Sequence, residues 1–147
     1  MGITYSFKDV TANLTGPTGT ANLGYGAALA DEGITIDMGG DKNTMSIGAD
    51  GRAMHSLHAD KSGTVTVRCQ KVSPTNSILQ DMYDAQQASS TLWGQNVIVI
   101  REVQSQDITT CVQCAFKKKP NLSYKKDGDT IDWVFDAGQI DTVLGTY

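Results

Sequence analysis

Residues 62–93 read SGTVTVRCQKVSPTNSILQDMYDAQQASSTLW and carry a strand signal and a helix signal separated by one short turn. From Thr64 to Cys69 the residues alternate strictly, with Val65, Val67 and Cys69 on one side and Thr64, Thr66 and Arg68 on the other. That is the period of a β-strand with one face in a core and one in water. After Lys71 and Val72 the period changes. Ile78, Leu79, Met82 and Tyr83 recur at helical spacing, with Ser73 placed to cap the helix and Pro74 to open it. The apolar stripe is expected to lie on a sheet, leaving Asn76, Gln80, Asp81, Asp84 and Gln87 outward.

Outside this stretch, strand patterns dominate. Ile3, Tyr5 and Phe7 alternate on odd positions, whereas Val10, Ala12 and Leu14 alternate on even ones, so a bulge or break is predicted across Lys8 and Asp9. Residues 15–33 hold Pro17 and five glycines without clear periodicity and read as a long loop. Ile34, Ile36 and Met38 form the next strand, stopped by Gly39-Gly40. Residues 41–62 then read as an extended hairpin arm, with Met45 and Ile47 in a short strand and Asp50-Gly51 at the turn.

Beyond the helix, Val97 to Ile100 is apolar on every residue, the pattern of a strand covered on both faces. A hairpin through Gln104 to Asp107 leads into Ile108 to Phe116, which Lys117-Lys118-Lys119-Pro120 terminates. Leu122 and Tyr124 suggest a short strand before Asp127-Gly128. Ile131, Trp133 and Phe135 then alternate with Asp132, Val134 and Asp136, and 139–147 reads as a terminal strand or tail. With no linker or repeat in the series, the prediction is one domain over residues 1–147 with long loops at 15–33 and 41–62. Its class is α+β, mainly β: a compact β-barrel or sandwich with one flanking helix.

The bulk numbers agree. A chain of 147 residues can bury a single core, and 39% hydrophobic content with 19% charged residues describes a globular β protein. No apolar run reaches the ~20 residues of a membrane helix, and Met1 to Phe7 lacks the features of a signal peptide, so a cytoplasmic protein without a membrane span is expected. The net charge of −4 is unevenly spread, with three basic and seven acidic residues in 1–60, nine basic and four acidic in 61–126, and five aspartates thereafter. Net acidity disfavours tight binding to DNA or membranes.

No catalytic constellation emerges. Cys111-x-x-Cys114 has a metal or redox spacing, but in a regular strand its two residues point to opposite faces, and Cys69 makes the cysteine count odd. Asp60 lies near His55 and His58, yet no third ligand comes at a telling spacing, which predicts an exposed or partner-facing pair. Gly24-Tyr25-Gly26 lacks the third glycine, strand and helix of a nucleotide site. The expectation is therefore a non-enzyme without catalytic residues, metal or cofactor.

The order of these elements is similar to a known one. The opening YSFKDV, the glycine-rich loop, the arm, GTVTV, the lone helix SPTNSILQDMYD and the closing TIDWVFDAGQID together resemble the tail tube proteins of contractile-tailed bacteriophages, with Gly63 to Asp84 and Thr130 to Asp141 the most specific parts. The resemblance implies a virion structural protein, assembled in the host cytoplasm, whose hexameric rings stack into a conduit for genome ejection. It implies as partners further copies of itself and the tail sheath, tape measure, baseplate and tail terminator proteins, with DNA passing non-specifically through the lumen.

Such a wall should be polar and poor in cations, because lysines would pair with phosphates and make DNA stick. Thr35, Asp37, Thr64 and Thr66 are the lumen-facing candidates, with Arg68 a discordant charge beside them. Met45, Ile47, Met54 and Leu57 are candidates for an arm that bridges rings. Lys117, Lys118 and Lys119 are candidates for charge pairing with a neighbouring subunit, at Asp127 to Asp136 or Asp31-Glu32. The alternative reading is a monomeric ligand-binding module, such as a carbohydrate-binding β-sandwich.

Overall fold

The computed structural model describes residues 3–26 and 29–146, without the side chains of residues 29–32. Its centre is the strand already quoted. β6 (Gly63–Gln70) buries Val65, Val67 and Cys69 completely and leaves Thr64, Thr66 and Arg68 half-buried on the other face. The strands before it are β1 (Val10–Gly16), β2 (Gly19–Asn22), β3 (Leu29–Met38), β4 (Asn43–Ile47) and β5 (Ala53–Leu57). After it come α1 (Thr75–Gln87), β7 (Asn96–Glu102), β8 (Asp107–Phe116) and β9 (Thr130–Val143).

Seven strands form one antiparallel sheet in the order β2-β1-β7-β8-β9-β6-β3. The expected mainly-β class with one helix holds, but the sheet does not close into a barrel. β2 and β3 remain edges with no strand pairing across them among the described residues. A barrel would need β2 to reach β3, and β2 is only four residues long. Among the described residues β4 and β5 pair only with each other, as a hairpin inserted between β3 and β6.

The core lies on one face of the sheet, under α1. Leu14, Leu23, Val65, Val67, Leu79, Ile98, Phe116, Trp133 and Phe135 all belong to it. Phe116 packs against Tyr83, Trp133 and Phe135 with ring centroids 5.6, 5.9 and 4.8 Å apart, joining helix to sheet.

The helix starts one residue later than its signals suggest. Pro74 occupies the cap position, and the Ser73 hydroxyl still accepts from the Thr75 N–H at 3.2 Å. Its buried side is also rotated from the expected stripe: Thr75, Leu79, Met82 and Gln86 are buried, Tyr83 is half-buried, and Ile78 is exposed. Asn76, expected outward, instead accepts from Trp133 Nε1 at 3.0 Å and donates to Gln70 O at 2.9 Å.

Gln86 is buried because it has a partner. It exchanges two amide hydrogen bonds with Asn96, of 2.8 and 2.9 Å, and donates to Thr18 Oγ1 at 3.2 Å. The three side chains tie the end of α1 to the β1–β2 turn and the start of β7. Gly16 must be glycine for this, since a Cβ there would collide with Asn96 Oδ1.

Several expectations are corrected. Ile3, Tyr5 and Phe7 form no strand; a 3-10 turn at Phe7–Asp9, capped by Ser6, accounts for the parity change. The stretch 15–33 is not a loop throughout, because Thr15↔Thr20 and Gly16↔Gly19 pair in a tight hairpin and β3 begins at Leu29. β7 is fully covered on one face only: Ile98 is buried, whereas Val97, Val99 and Ile100 are half-buried. Leu122 and Tyr124 lie in an exposed irregular segment, not a strand. Tyr147, the last residue of the expected terminal strand or tail, lies outside the described residues.

Candidate functional site

The face of the sheet opposite the core is the first candidate surface. Pairing of β3 with β6 sets Thr35 opposite Thr66 and Asp37 opposite Thr64, so the four residues expected along a lumen form two adjacent cross-strand pairs. β9 extends the row on the other side of β6, placing Asp136 opposite Thr64 and Asp132 opposite Arg68. The Arg68 guanidinium, which looked discordant in sequence, lies 3.7 Å from an Asp132 carboxylate oxygen. Around these threonines β3, β6 and β9 therefore carry Asp37, Asp132 and Asp136 against Arg68, with Lys117 leaving β8 beside Val134. Asp132 and Asp136 are not among the lumen candidates chosen from sequence; their alternation was legible, but their register against β6 was not.

The second surface is the β4–β5 hairpin. Its pairing Met45↔His55, Ile47↔Ala53 and Asn43↔Leu57 gives one face Met45, Ile47, Ala53 and Leu57, while Met54 lies on the other with Thr44, Ser46 and Ser56. All four expected arm residues are exposed, Leu57 at 82%. Strand pairing rather than a core holds the hairpin. Its base is tied to the body by Gly39 N–H donating to Ser62 O at 2.9 Å and Ile140 N–H to Lys61 O at 2.9 Å.

The two histidines sit on opposite faces of this hairpin, His55 Nδ1 with Asn43 Nδ2 at 3.1 Å and His58 Nε2 with Thr44 Oγ1 at 2.7 Å. Among the described residues no group of His, Cys, Asp and Glu forms a metal site.

The cysteines require a correction. Cys111 and Cys114 both face the core, because Gln113 takes a positive φ of 54° and the β7–β8 register shifts between Asn96 and Ile98. The extra residue puts positions three apart on the same side. Burial pushes the Cys69 and Cys111 thiols up to about 11, and burial with the neighbouring Cys111 pushes Cys114 up to about 12. Thiols so placed are poor nucleophiles and metal ligands.

Lys117, Lys118 and Lys119 follow β8 and are exposed, with the Lys117 N–H donating to Val134 O at 2.8 Å. The strand registers place this run at the end of the sheet where β6 finishes and β9 begins. Lys125 pairs there with Asp129 at 2.9 Å, and Lys71 lies 4.1 Å from the Tyr124 ring centroid. Asp127 to Asp136, one suggested partner of the run, begins at this end of the molecule and runs along β9 as far as Asp136, opposite Thr64. The side chains of Asp31 and Glu32, the other suggestion, lie outside the described residues.

Chains of contractile injection system structures share this fold. The sheath-tube complex of an extracellular contractile injection system, PVC, has a chain matching with a TM-score of 0.63 at 8% identity, over 97% of this chain and 93% of that one. A chain of the PVC sheath/tube terminator structure matches with a TM-score of 0.63 at 11% identity, over 97% and 99%. A chain of the anti-feeding prophage cap structure matches with 0.57 at 10%, over 99% and 95%.

Sequence narrows the class further. Residues 2–145 match the family model described as Bacteriophage PhiTE tail tube protein, and the chain belongs to that phage tail tube family. No curated protein matches the chain. Membership makes it a structural component of a virion tail tube, a role that involves no catalysis. No described helix is long and apolar enough to cross a membrane.

Proposed function

We propose that the chain is the repeating subunit of a contractile phage's tail tube, assembling into hexameric rings that stack into the conduit for genome ejection. The observation that carries this is the open sheet. β2 and β3 each present an edge without a strand partner among the described residues, and such edges recruit a further chain. Six copies joined edge to edge supply the closure that one copy lacks, with Thr35, Asp37, Thr64 and Thr66 lining the lumen. The β4–β5 hairpin reaches the next ring, burying Met45, Ile47, Met54 and Leu57 there, and Lys117, Lys118 and Lys119 pair with an acidic neighbouring surface. Sheath, tape measure, baseplate and tail terminator proteins are its partners in the virion, and assembly takes place in the host cytoplasm. Sheath, terminator and baseplate complexes are the settings of the tube-like chains it matches.

Negative-stain microscopy over a concentration series tests the reading. Six-fold rings or hollow tubes are expected as concentration rises. A monomer at every concentration, measured by sedimentation, overturns it.

A further inference from the structure

The two ends of the sheet differ in charge. At the end where β6 and β8 run out and β9 begins, residues 68–72 and 117–132 carry seven Lys and Arg against three Asp. Of the chain's twelve basic and sixteen acidic residues, that leaves five and thirteen elsewhere, so this end is a basic island on an acidic molecule. It is also apolar: Val72, Leu122 and Tyr124 are exposed there, Val72 at 84%. Exposed apolar side chains ringed by charge mark a contact surface rather than a solvated one.

The opposite end, where β7 and β9 finish and β8 begins, has the matching character. Val103, Val143 and Leu144 are exposed, at 64%, 67% and 74%, and beside them Asp9, Glu102, Asp107 and Asp141 outnumber Lys8, Lys61 and Arg101 by four to three. Val103 N–H donates to Asp9 O at 2.9 Å and Asp107 accepts from the Gly145 N–H at 2.7 Å, so the start of β1, the β7–β8 turn and residues 143–145 form one surface. Lys61 and Gln139 both bind Asp141, at 3.4 and 2.7 Å, and the Gln139 amide, ahead of the Lys61 charge, holds its carboxyl below the usual range.

We infer that the basic end of one copy docks on the acidic end of the next, Val72, Leu122 and Tyr124 meeting Val103, Val143 and Leu144 inside a rim of opposite charges. The occupant is a second copy because one chain carries both halves of the match on opposite ends. Two different surfaces make a heterologous contact, and because these two lie on opposite ends of the molecule it does not close on itself and repeats in one direction. This rests on the tube reading and gives its stacking contact a polarity.

Charge reversal tests it in three variants. Lys117→Glu, Lys118→Glu and Lys119→Glu together make both ends acidic; Glu102→Lys with Asp141→Lys makes both ends basic; the third variant combines all five. Each of the first two is expected to raise the concentration needed for stacking about tenfold or more at low salt, an effect that shrinks as salt rises. Combining them exchanges the ends and is expected to restore stacking, as is mixing the two single-end variants. Thermal melts identify any variant that fails to fold, and the mixture of folded chains then carries the rescue arm. Wild-type stacking with unaltered stacking by the reversed variants, or loss without rescue in both the mixture and the combined chain, overturns the end-to-end contact and leaves the tube reading intact. A wild type that never forms tubes overturns both.

Discussion

Leu79 and Ile78 are adjacent in sequence and opposite in consequence. Leu79→Ala removes a fully buried side chain beneath the helix and should cost about 2–5 kcal/mol, whereas Ile78→Ala, at a position 42% exposed, should cost well under half of that. Urea unfolding of the two variants decides it; equal losses would show the helix face to be misplaced. Gln86→Leu strands the Asn96 amide in the core and should cost about 1–3 kcal/mol, and adding Asn96→Leu should recover part of that loss. The thiols give a pH dependence. Their folded values lie above those of an unfolded chain, so the folded state holds its protons longer, and the stability this contributes is complete below about pH 9 and falls as pH rises toward 11 to 12. Melting temperature should drop in that alkaline window, and at neutral pH a maleimide should label all three cysteines only after unfolding. At this scale the sequence misled where polar residues are buried. Thr75 and Gln86 complete the helix's inner stripe, and a pattern search that counts only apolar side chains passes over them and selects Ile78 instead.

Among the elements, strands with regular alternation were legible because burial on one face dictates it: β6 and the first half of β9 stand where their sequences place them. Three elements were not. The β1–β2 hairpin hides in a glycine-rich stretch because its turn and its partner β7 need Gly16 for close approach. Cys111 and Cys114 share a face only through the bulge at Gln113, a backbone choice with no side-chain signature. The segment holding Leu122 and Tyr124 alternates like a strand but pairs with no strand among the described residues. The β4–β5 arm was legible as a hairpin, and it makes a clean prediction. Replacing residues 41–62 by a short Gly-Ser turn removes no core residue, so the body should melt within a few degrees of wild type. Rings should still form and tubes should not extend, as judged by microscopy; normal tubes from this variant would remove the hairpin from the stacking contact.

For the whole molecule, the polar face of the sheet is the proposed lumen wall, and its chemistry would set what an assembled tube conducts. Carboxylates around Thr64 and Thr66 repel phosphates, the threonine hydroxyls offer them only neutral hydrogen bonds, and the Arg68 charge is countered by Asp132. Thr64→Lys with Thr66→Lys should leave assembly intact and make tubes retain a short DNA duplex at low salt, with release on raising it. Tubes that bind DNA no better than wild type would move the lumen to another surface. That this face is acidic was half visible in sequence, since Thr35, Asp37, Thr64 and Thr66 could be chosen from alternation. The contribution of β9 follows only from strand order, which no local pattern encodes.

The unpaired edges of β2 and β3 carry a kinetic consequence. The first few copies must meet in one geometry before any edge is fully satisfied, so the earliest oligomers are the least stable and dissociate fastest. A solution of the chain should then show a lag before light scattering rises, and fragments of finished tube added at the start should abolish it. In an infected cell the same barrier would keep newly made chains dispersed until a preformed ring offers its end as a platform that holds arriving copies side by side while their edges close, so that where tubes begin is decided by the template and not by the abundance of the subunit.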